Sequence, residues 1–120
     1  MASQHDDNGG LHIDQTLVSD RVVLKVSGRM NAENAHLFIR KSEDCVAQGH
    51  TTLVADLDGL AYVSSIGLRS FLTVAKTLQS KNGALRLCRL NGLARQVFDI
   101  TGLLDAFSVY ESVDSAIQGG

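Results

Sequence analysis

The sequence has 120 residues, of which 44% are hydrophobic and 20% charged, and its formal net charge is −2. This size and composition are typical of one domain with a small aliphatic core, because aromatic residues make up only 5% and tryptophan is absent. The basic residues are scattered along the chain without a basic cluster, which argues against nucleic acid and anionic membrane surfaces as partners. No apolar run reaches the roughly 18 residues that direct membrane insertion requires.

The first ten residues, MASQHDDNGG, are polar and end in two glycines. They predict a disordered N-terminal arm at 1–10, followed by a single domain over 11–118. The N-terminus has no hydrophobic segment of the secretory type, and Cys45 and Cys88 both lie in apolar patterns. We therefore expect two reduced core thiols in a cytoplasmic protein.

The N-terminal part of the domain begins with two predicted strands that form a hairpin. The first is expected over 11–19, and the second is marked by the alternation of apolar side chains over 22–26. The segment 27–31 reads as a loop in which Gly28 serves the backbone geometry and Asn31 caps a helix. That helix, which ends at Gly49, carries one apolar stripe formed by Ala35, Phe38, Ile39, Ser42, Cys45 and Val46.

The central part of the chain predicts a buried strand followed by a turn and a helix. The strand, Leu53–Leu57, is almost continuously apolar, as is typical of parallel sheets covered on both faces. The helix ends at Asn82-Gly83. Its apolar positions are Leu68, Phe71, Leu72, Ala75 and Leu78.

The C-terminal part predicts two further strands, each followed by a helix. A strand over 84–90 precedes a short helix that Asn91 caps and Gly102 ends, and a strand over 107–110 precedes a terminal helix capped by Ser112. The short helix is expected to bury Leu93, Val97 and Ile100.

The element order β-β-α-β-α-β-α-β-α predicts an α/β fold. Its sheet would be mixed and mostly parallel, with four to five strands, an antiparallel N-terminal strand and about four helices. Catalytic patterns are absent from the sequence: the four histidines lack metal-ligand spacing, and neither phosphate-cradling glycine motif occurs. We therefore expect no catalytic residue, no metal and no cofactor.

One segment, Asp56–Arg69, combines a buried strand, a turn and a helix start, with Ser65 at the expected N-cap. The plainest interpretation is that Ser65 only caps the helix. A helix N-terminus also tolerates an anion, so a phosphoryl group on Ser65 would add about −1.5 to −2 charges without unfolding the domain. Gly67, in the first turn, would let another chain approach closely.

The same segment resembles the signature of the STAS domains of bacterial anti-sigma factor antagonists. The loop Val26–Asn31, the segment Leu93–Leu103 and the segment Phe107–Gln118 resemble further parts of these domains, so the resemblance covers about residues 11–118. It implies a STAS-like fold and a non-enzymatic regulator of transcription. Such proteins bind an anti-sigma factor, often a GHKL-type serine kinase. Phosphorylation by that kinase ends the association, and a PP2C-like phosphatase restores it, which is partner switching.

Matched on Gly67, the resemblance makes Ser65 the phosphorylated residue, with Ser64 the less favoured candidate. The family often has Asp at the position of Ser64 and at that of Asn31. Arg69 is open to two interpretations, a solvated helix face or a phosphate or partner contact, and Asn91 is a cap in the first place. The expected partner-binding residues are Arg29, Asn31, Ser64, Ile66, Gly67, Arg69 and Asn91.

Two other functions stay open at this point. The first is an unphosphorylated STAS scaffold or a small accessory subunit of an ABC-type lipid transporter, in which Ser65 is simply a cap. The second is an enzyme or nucleotide-binding protein, but no residues in the sequence support this function. The expected oligomeric state is a monomer or a weak dimer.

Overall fold

The computed structural model describes residues 9–119. Its strands are β1 (Leu11–Val18), β2 (Arg21–Met30), β3 (Thr52–Asp56), β4 (Leu60–Val63), β5 (Ala84–Cys88) and β6 (Ser108–Tyr110). Its helices are α1 (Ala35–Ala47), α2 (Ser65–Gln79), α3 (Gly92–Ile100) and α4 (Val113–Gln118), with a 3₁₀ helix at Leu103–Ala106. The arm predicted at 1–10 lies outside the described residues except for Gly9 and Gly10, which form a turn before β1.

The strands form one mixed sheet in the order β1-β2-β3-β5-β6, and β4 pairs with β2 beside this path. The β1–β2 pair is antiparallel, and every other pair is parallel. The sequence predicted five strands, and β4 is the additional one. It has only four residues, too few for an alternating pattern to stand out from a turn.

The prediction of a loop at 27–31 is wrong, because β2 continues through Met30 and its second half pairs with β4. The register shifts between Gly28 and Arg29, and Gly28 has a φ of +93°. A side chain at Gly28 would also collide with the carbonyl oxygen of Gly10. Glycine is therefore required here by a strand irregularity and a close backbone approach.

The larger core lies between the sheet and helices α1, α2 and α3. Its centre is a row of rings in which Phe71 contacts Phe38 at 4.7 Å and Phe98 at 5.4 Å between centroids. On the opposite face, a smaller cluster joins Val54 and Cys88 to Ala116 of α4. Because both faces are covered, β3 is the buried apolar run that the sequence predicted.

Helix α1 begins three residues later than predicted. Asn31 does not cap it directly; its Oδ1 instead accepts hydrogen bonds from the amides of Glu33 at 3.0 Å and Asn34 at 3.1 Å. Asn31 therefore organises the turn that precedes α1, which starts at Ala35. The other predicted cap, Ser112, does accept a hydrogen bond from the Ser115 amide at 3.0 Å, in a capping box at the start of α4.

The apolar face of α3 differs from the prediction. Leu93 and Ile100 point outward with 51% and 83% of their surface exposed, whereas Ala94 and Phe98 are fully buried. The helix has apolar residues on both sides, and the face that carries Phe98 turns inward because its ring packs between the rings of Phe71 and Phe107.

Candidate functional site

The junction between β4 and α2 is built by Ser64. Its backbone is extended, and its Oγ accepts a hydrogen bond from the Gly67 amide at 3.1 Å, as expected of an N-cap. Its own amide donates to the carbonyl of Met30 at 2.9 Å and so ties the corner to the end of β2. The prediction that Ser65 is the N-cap is wrong by one residue.

Ser65 is the first residue of α2 and is exposed. Within residues 9–119, its hydroxyl takes part in no hydrogen bond, since Ser64 already fills the cap position. The next residue, Ile66, is half exposed and presents an apolar side chain beside the hydroxyl. The corner therefore displays an accessible hydroxyl group at a helix N-terminus, where exposed amides favour an anion.

Gly67 does not have the expected role. It is buried, and an added Cβ would lie 2.8 Å from Val63 Cγ2 and 3.0 Å from Met30 Cγ. The glycine thus lets α2 approach the ends of β2 and β4 within the domain. It is not available as the surface on which another chain approaches, and we correct the prediction of a partner contact there.

The pairing of β2 with β4 brings two further predicted residues to this corner. Arg29 lies opposite Tyr62 in the register, with its guanidinium 4.5 Å from the centre of the Tyr62 ring. Asn31 directly follows the last residue of β2, whose carbonyl binds Ser64.

Arg69 is exposed on α2, one helical turn after Ser65. Residues four apart on a helix have Cβ atoms about 5–6 Å apart, so the Arg69 side chain can reach a group attached to Ser65. We define the Ser65 surface as Arg29, Asn31, Ser65, Ile66 and Arg69. Its members come from the carboxyl end of β2 and from the first two turns of α2.

Asn91 holds a different place. It occupies the N-cap position of α3 as predicted, but its side chain makes no capping hydrogen bond. Its Nδ2 instead donates to the carbonyls of Arg89 at 2.8 Å and Asp58 at 3.2 Å. Asn91 therefore fastens the start of α3 to the turn between β3 and β4, and the contacts it makes are internal.

An ion pair beside that turn was not predicted. Asp56, only 4% exposed, accepts hydrogen bonds from Arg89 Nε at 3.0 Å and Nη2 at 2.8 Å, and from the Asp58 amide at 3.2 Å. Arg89 adopts a left-handed backbone with a φ of +58°. The only sign of this ion pair in the sequence is an aspartate at the end of a buried apolar strand. Its partner Arg89 could not be identified from the sequence, because it lies 33 residues away.

The charge of Asp56 is maintained despite its burial. Burial raises the pKa of the Asp56 carboxyl, but the hydrogen bonds from Arg89 and the Asp58 amide, with the positive charges of Arg89 and Lys25, outweigh it and leave the pKa lowered. The pair holds the turn that leads into β4, and β4 leads to Ser64. Asp56 and Arg89 therefore help to fix the position of the corner between β4 and α2.

Other kinds of site are not found in the described part of the chain. Over residues 9–119, no three His, Cys, Asp or Glu side chains are grouped so that they could hold a metal ion. Within the same residues, no helix combines the length and the apolar character needed to cross a membrane.

Comparison with known proteins gives a consistent result. The family model of the STAS domain matches residues 12–116. A curated relative from Bordetella bronchiseptica, which carries the name anti-sigma factor antagonist BtrV, is 36% identical over 99 residues, which cover 82% of this chain and 85% of the relative.

Solved structures share the fold. The crystal structure of an anti-sigma factor antagonist from Mycobacterium paratuberculosis superposes with a TM-score of 0.80 at 22% identity, covering 91% of this chain and 92% of that one. SpoIIAA from Bacillus in its phosphorylated form gives a TM-score of 0.67 at 20% identity, covering 90% of this chain and 96% of that one. These neighbours confirm the predicted α/β fold class.

Proposed function

Since the chain belongs to the STAS domain family, we propose that it is an anti-sigma factor antagonist controlled by phosphorylation. In its unphosphorylated form it binds an anti-sigma factor that is also a serine kinase, and phosphorylation of Ser65 releases it. Relatives named anti-sigma factor antagonists cover most of the chain. That SpoIIAA was solved in a phosphorylated form supports a phosphorylated state for proteins of this fold.

The observation that carries the proposal is that two neighbouring serines have different roles. Ser64 accepts the Gly67 amide and holds the helix start, so the exposed Ser65 hydroxyl is not needed by the fold. A kinase can therefore modify Ser65 while the cap stays in place. Ser64, half-buried and engaged in the cap, is the poorer substrate, which agrees with the preference for Ser65 over Ser64.

The charges of the Ser65 surface explain how a phosphate would change binding. Arg29 and Arg69 are its charged members, and both are exposed. Such a surface favours a partner with acidic groups. A phosphoryl group adds about −1.5 to −2 charges, offsets the two arginines and adds bulk beside Ile66. The phosphorylated chain would then repel the acidic partner that the unmodified chain attracts.

The remaining parts of the cycle follow from this mechanism. The exposed position of Ser65 also admits a PP2C-like phosphatase, which would restore binding. The chain itself supplies no reaction and acts by occupying the anti-sigma factor, so that a sigma factor becomes free for transcription. We accordingly place it in the cytoplasm, where sigma factors act.

The test uses the chain expressed with an affinity tag in its native bacterium, where the cognate kinase is present. Intact-mass analysis and fragmentation of the purified protein are expected to show one phosphoryl group at Ser65. Ser65→Ala should abolish it and Ser64→Ala should not. A phosphoryl group that persists in Ser65→Ala would disprove the assignment.

Binding of the co-purified anti-sigma factor is then compared between Ser65→Glu and Ser65→Gln, which have the same size and differ in charge. We expect Ser65→Glu to bind at least about tenfold more weakly than Ser65→Gln, since it alone mimics the repulsion. The alternative outcome is a chain that carries no phosphoryl group, together with equal binding of one partner by Ser65→Glu and Ser65→Gln. That outcome would instead support the unphosphorylated scaffold or transporter-subunit function.

A further inference from the structure

The outer edge of β1 is a second surface with no assigned role. β1 is eight residues long, and within residues 9–119 only β2 pairs with it. The opposite edge of the sheet is β6, which has only three residues. A long edge strand presents a row of unpaired amide and carbonyl groups that can pair with another strand.

Most of the usual protections of an edge strand are missing from β1. It contains no proline, lysine or arginine, and its register with β2 runs without a bulge from Leu11 to Val18. Asp14 is its one acidic side chain. Natural sheets normally shield such an edge with charges, bulges or very short strands, as the three-residue β6 does here.

The side chains of β1 add an apolar component on the face covered by α1. Ile13 packs against the main core, whereas Leu17 on the same face is 62% exposed. A shallow depression follows the edge, lined by residues 13–17 and by Lys41 of α1. The edge therefore offers backbone pairing together with an uncovered leucine.

We propose that this edge pairs with β1 of a second copy of the chain, in antiparallel orientation, about a twofold axis at Gln15. This register places Ile13 opposite the partner's Leu17 and Asp14 opposite the partner's Thr16, so both exposed leucines gain an apolar neighbour. The apolar stem of Lys41 covers the same junction.

Neighbouring registers are less favourable. An axis at Asp14 would set two carboxylates directly opposite each other, which is destabilising. An axis at Ile13 would place Leu17 opposite Gly9, before β1 begins, and leave it uncovered. Of these three axes, only the one at Gln15 both separates the two Asp14 carboxylates and gives each Leu17 an apolar neighbour. The interface uses one strand pair, so it falls at the small end of specific interfaces and the dimer is reversible.

The first test is sedimentation velocity of the full chain over a range of concentrations. The wild type is expected to change from monomer to dimer between roughly micromolar and millimolar concentration. Leu17→Lys should raise the dissociation constant at least about tenfold, because each dimer loses two apolar cross-strand contacts and gains two charges at the edge. Ile100→Lys, a comparable apolar-to-lysine change at an exposed residue of α3, should leave the dissociation constant unchanged.

The second test reads the register by disulfide trapping. Gln15→Cys faces its own copy across the axis and should cross-link, whereas His12→Cys lies opposite the partner's Val18 and should not. The native Cys45 and Cys88 are buried and do not compete. A wild type that stays monomeric at millimolar concentration, equal effects of the two lysine variants, or equal cross-linking at both positions would each overturn the proposal. None of these results bears on Ser65.

Discussion

Replacing Gly67 by alanine tests whether this glycine serves packing or partner contact. The added methyl group would lie 2.8 Å from Val63 Cγ2 and 3.2 Å from Met30 Sδ. Met30 is flexible and can move, but Val63 is branched at Cβ and held in β4, so it yields little. Overpacking of this kind costs about 1–3 kcal/mol, and alanine in place of glycine returns up to about 1 kcal/mol of helix propensity. We expect a net loss of about 1–2 kcal/mol in the free energy of unfolding.

The assay is urea denaturation followed by circular dichroism. Gln79→Ala, an exposed change in the last turn of α2, serves as the control and should alter stability by less than about 0.5 kcal/mol. In the background Val63→Ala the cost of Gly67→Ala should fall, because the clashing methyl group is gone. A Gly67→Ala variant as stable as the wild type would refute the packing argument and make a partner contact at Gly67 the better explanation.

Three further predictions follow from the site. Ser64→Ala should lower the free energy of unfolding by about 1 kcal/mol through loss of the cap, whereas Ser65→Ala should leave it nearly unchanged, both measured by urea denaturation. The pKa of Asp56 is lowered on folding, so its carboxylate contributes stability that is present above about pH 4 and is lost as the pH falls through the folded-state pKa. Acid titration should show this loss in the wild type, and Asp56→Asn should remove that component. Burial, with the nearby Asp56 charge, raises the pKa of Cys88 to about 11, so a thiol reagent at pH 8 should modify Cys88 only on unfolding.

Much of the fold can be predicted from the sequence in the segments where one periodicity of apolar residues dominates. The alternation in β2, the apolar run of β3 and the stripe of α2 each have one interpretation. The four residues of β4 are too few for such a signal, and their strand geometry comes from pairing with β2, a long-range contact. In α3 the apolar residues lie on two sides, and only packing against Phe71 decides which side turns inward.

The site could be located from the sequence but not resolved in detail. Two adjacent serines are both good caps, so the choice between Ser64 and Ser65 depends on the residue at which α2 begins, and that is set by the pairing of β4 with β2. The ion pair of Asp56 with Arg89 joins two strand ends that are far apart in the chain, and no local pattern marks it. Whether Gly67 faces inward likewise depends on the side chains of Met30 and Val63.

The most direct measurement compares the affinity of the anti-sigma factor for two forms of the chain, one unmodified and one carrying phosphoserine at position 65 by genetic encoding. Titration calorimetry should show binding that is at least about 100-fold weaker for the phosphorylated form. Thermal unfolding of the two forms alone should be nearly the same, because Ser64 keeps the cap. Equal affinities, or a phosphorylated chain that no longer folds, would contradict a switch built on the free hydroxyl of Ser65.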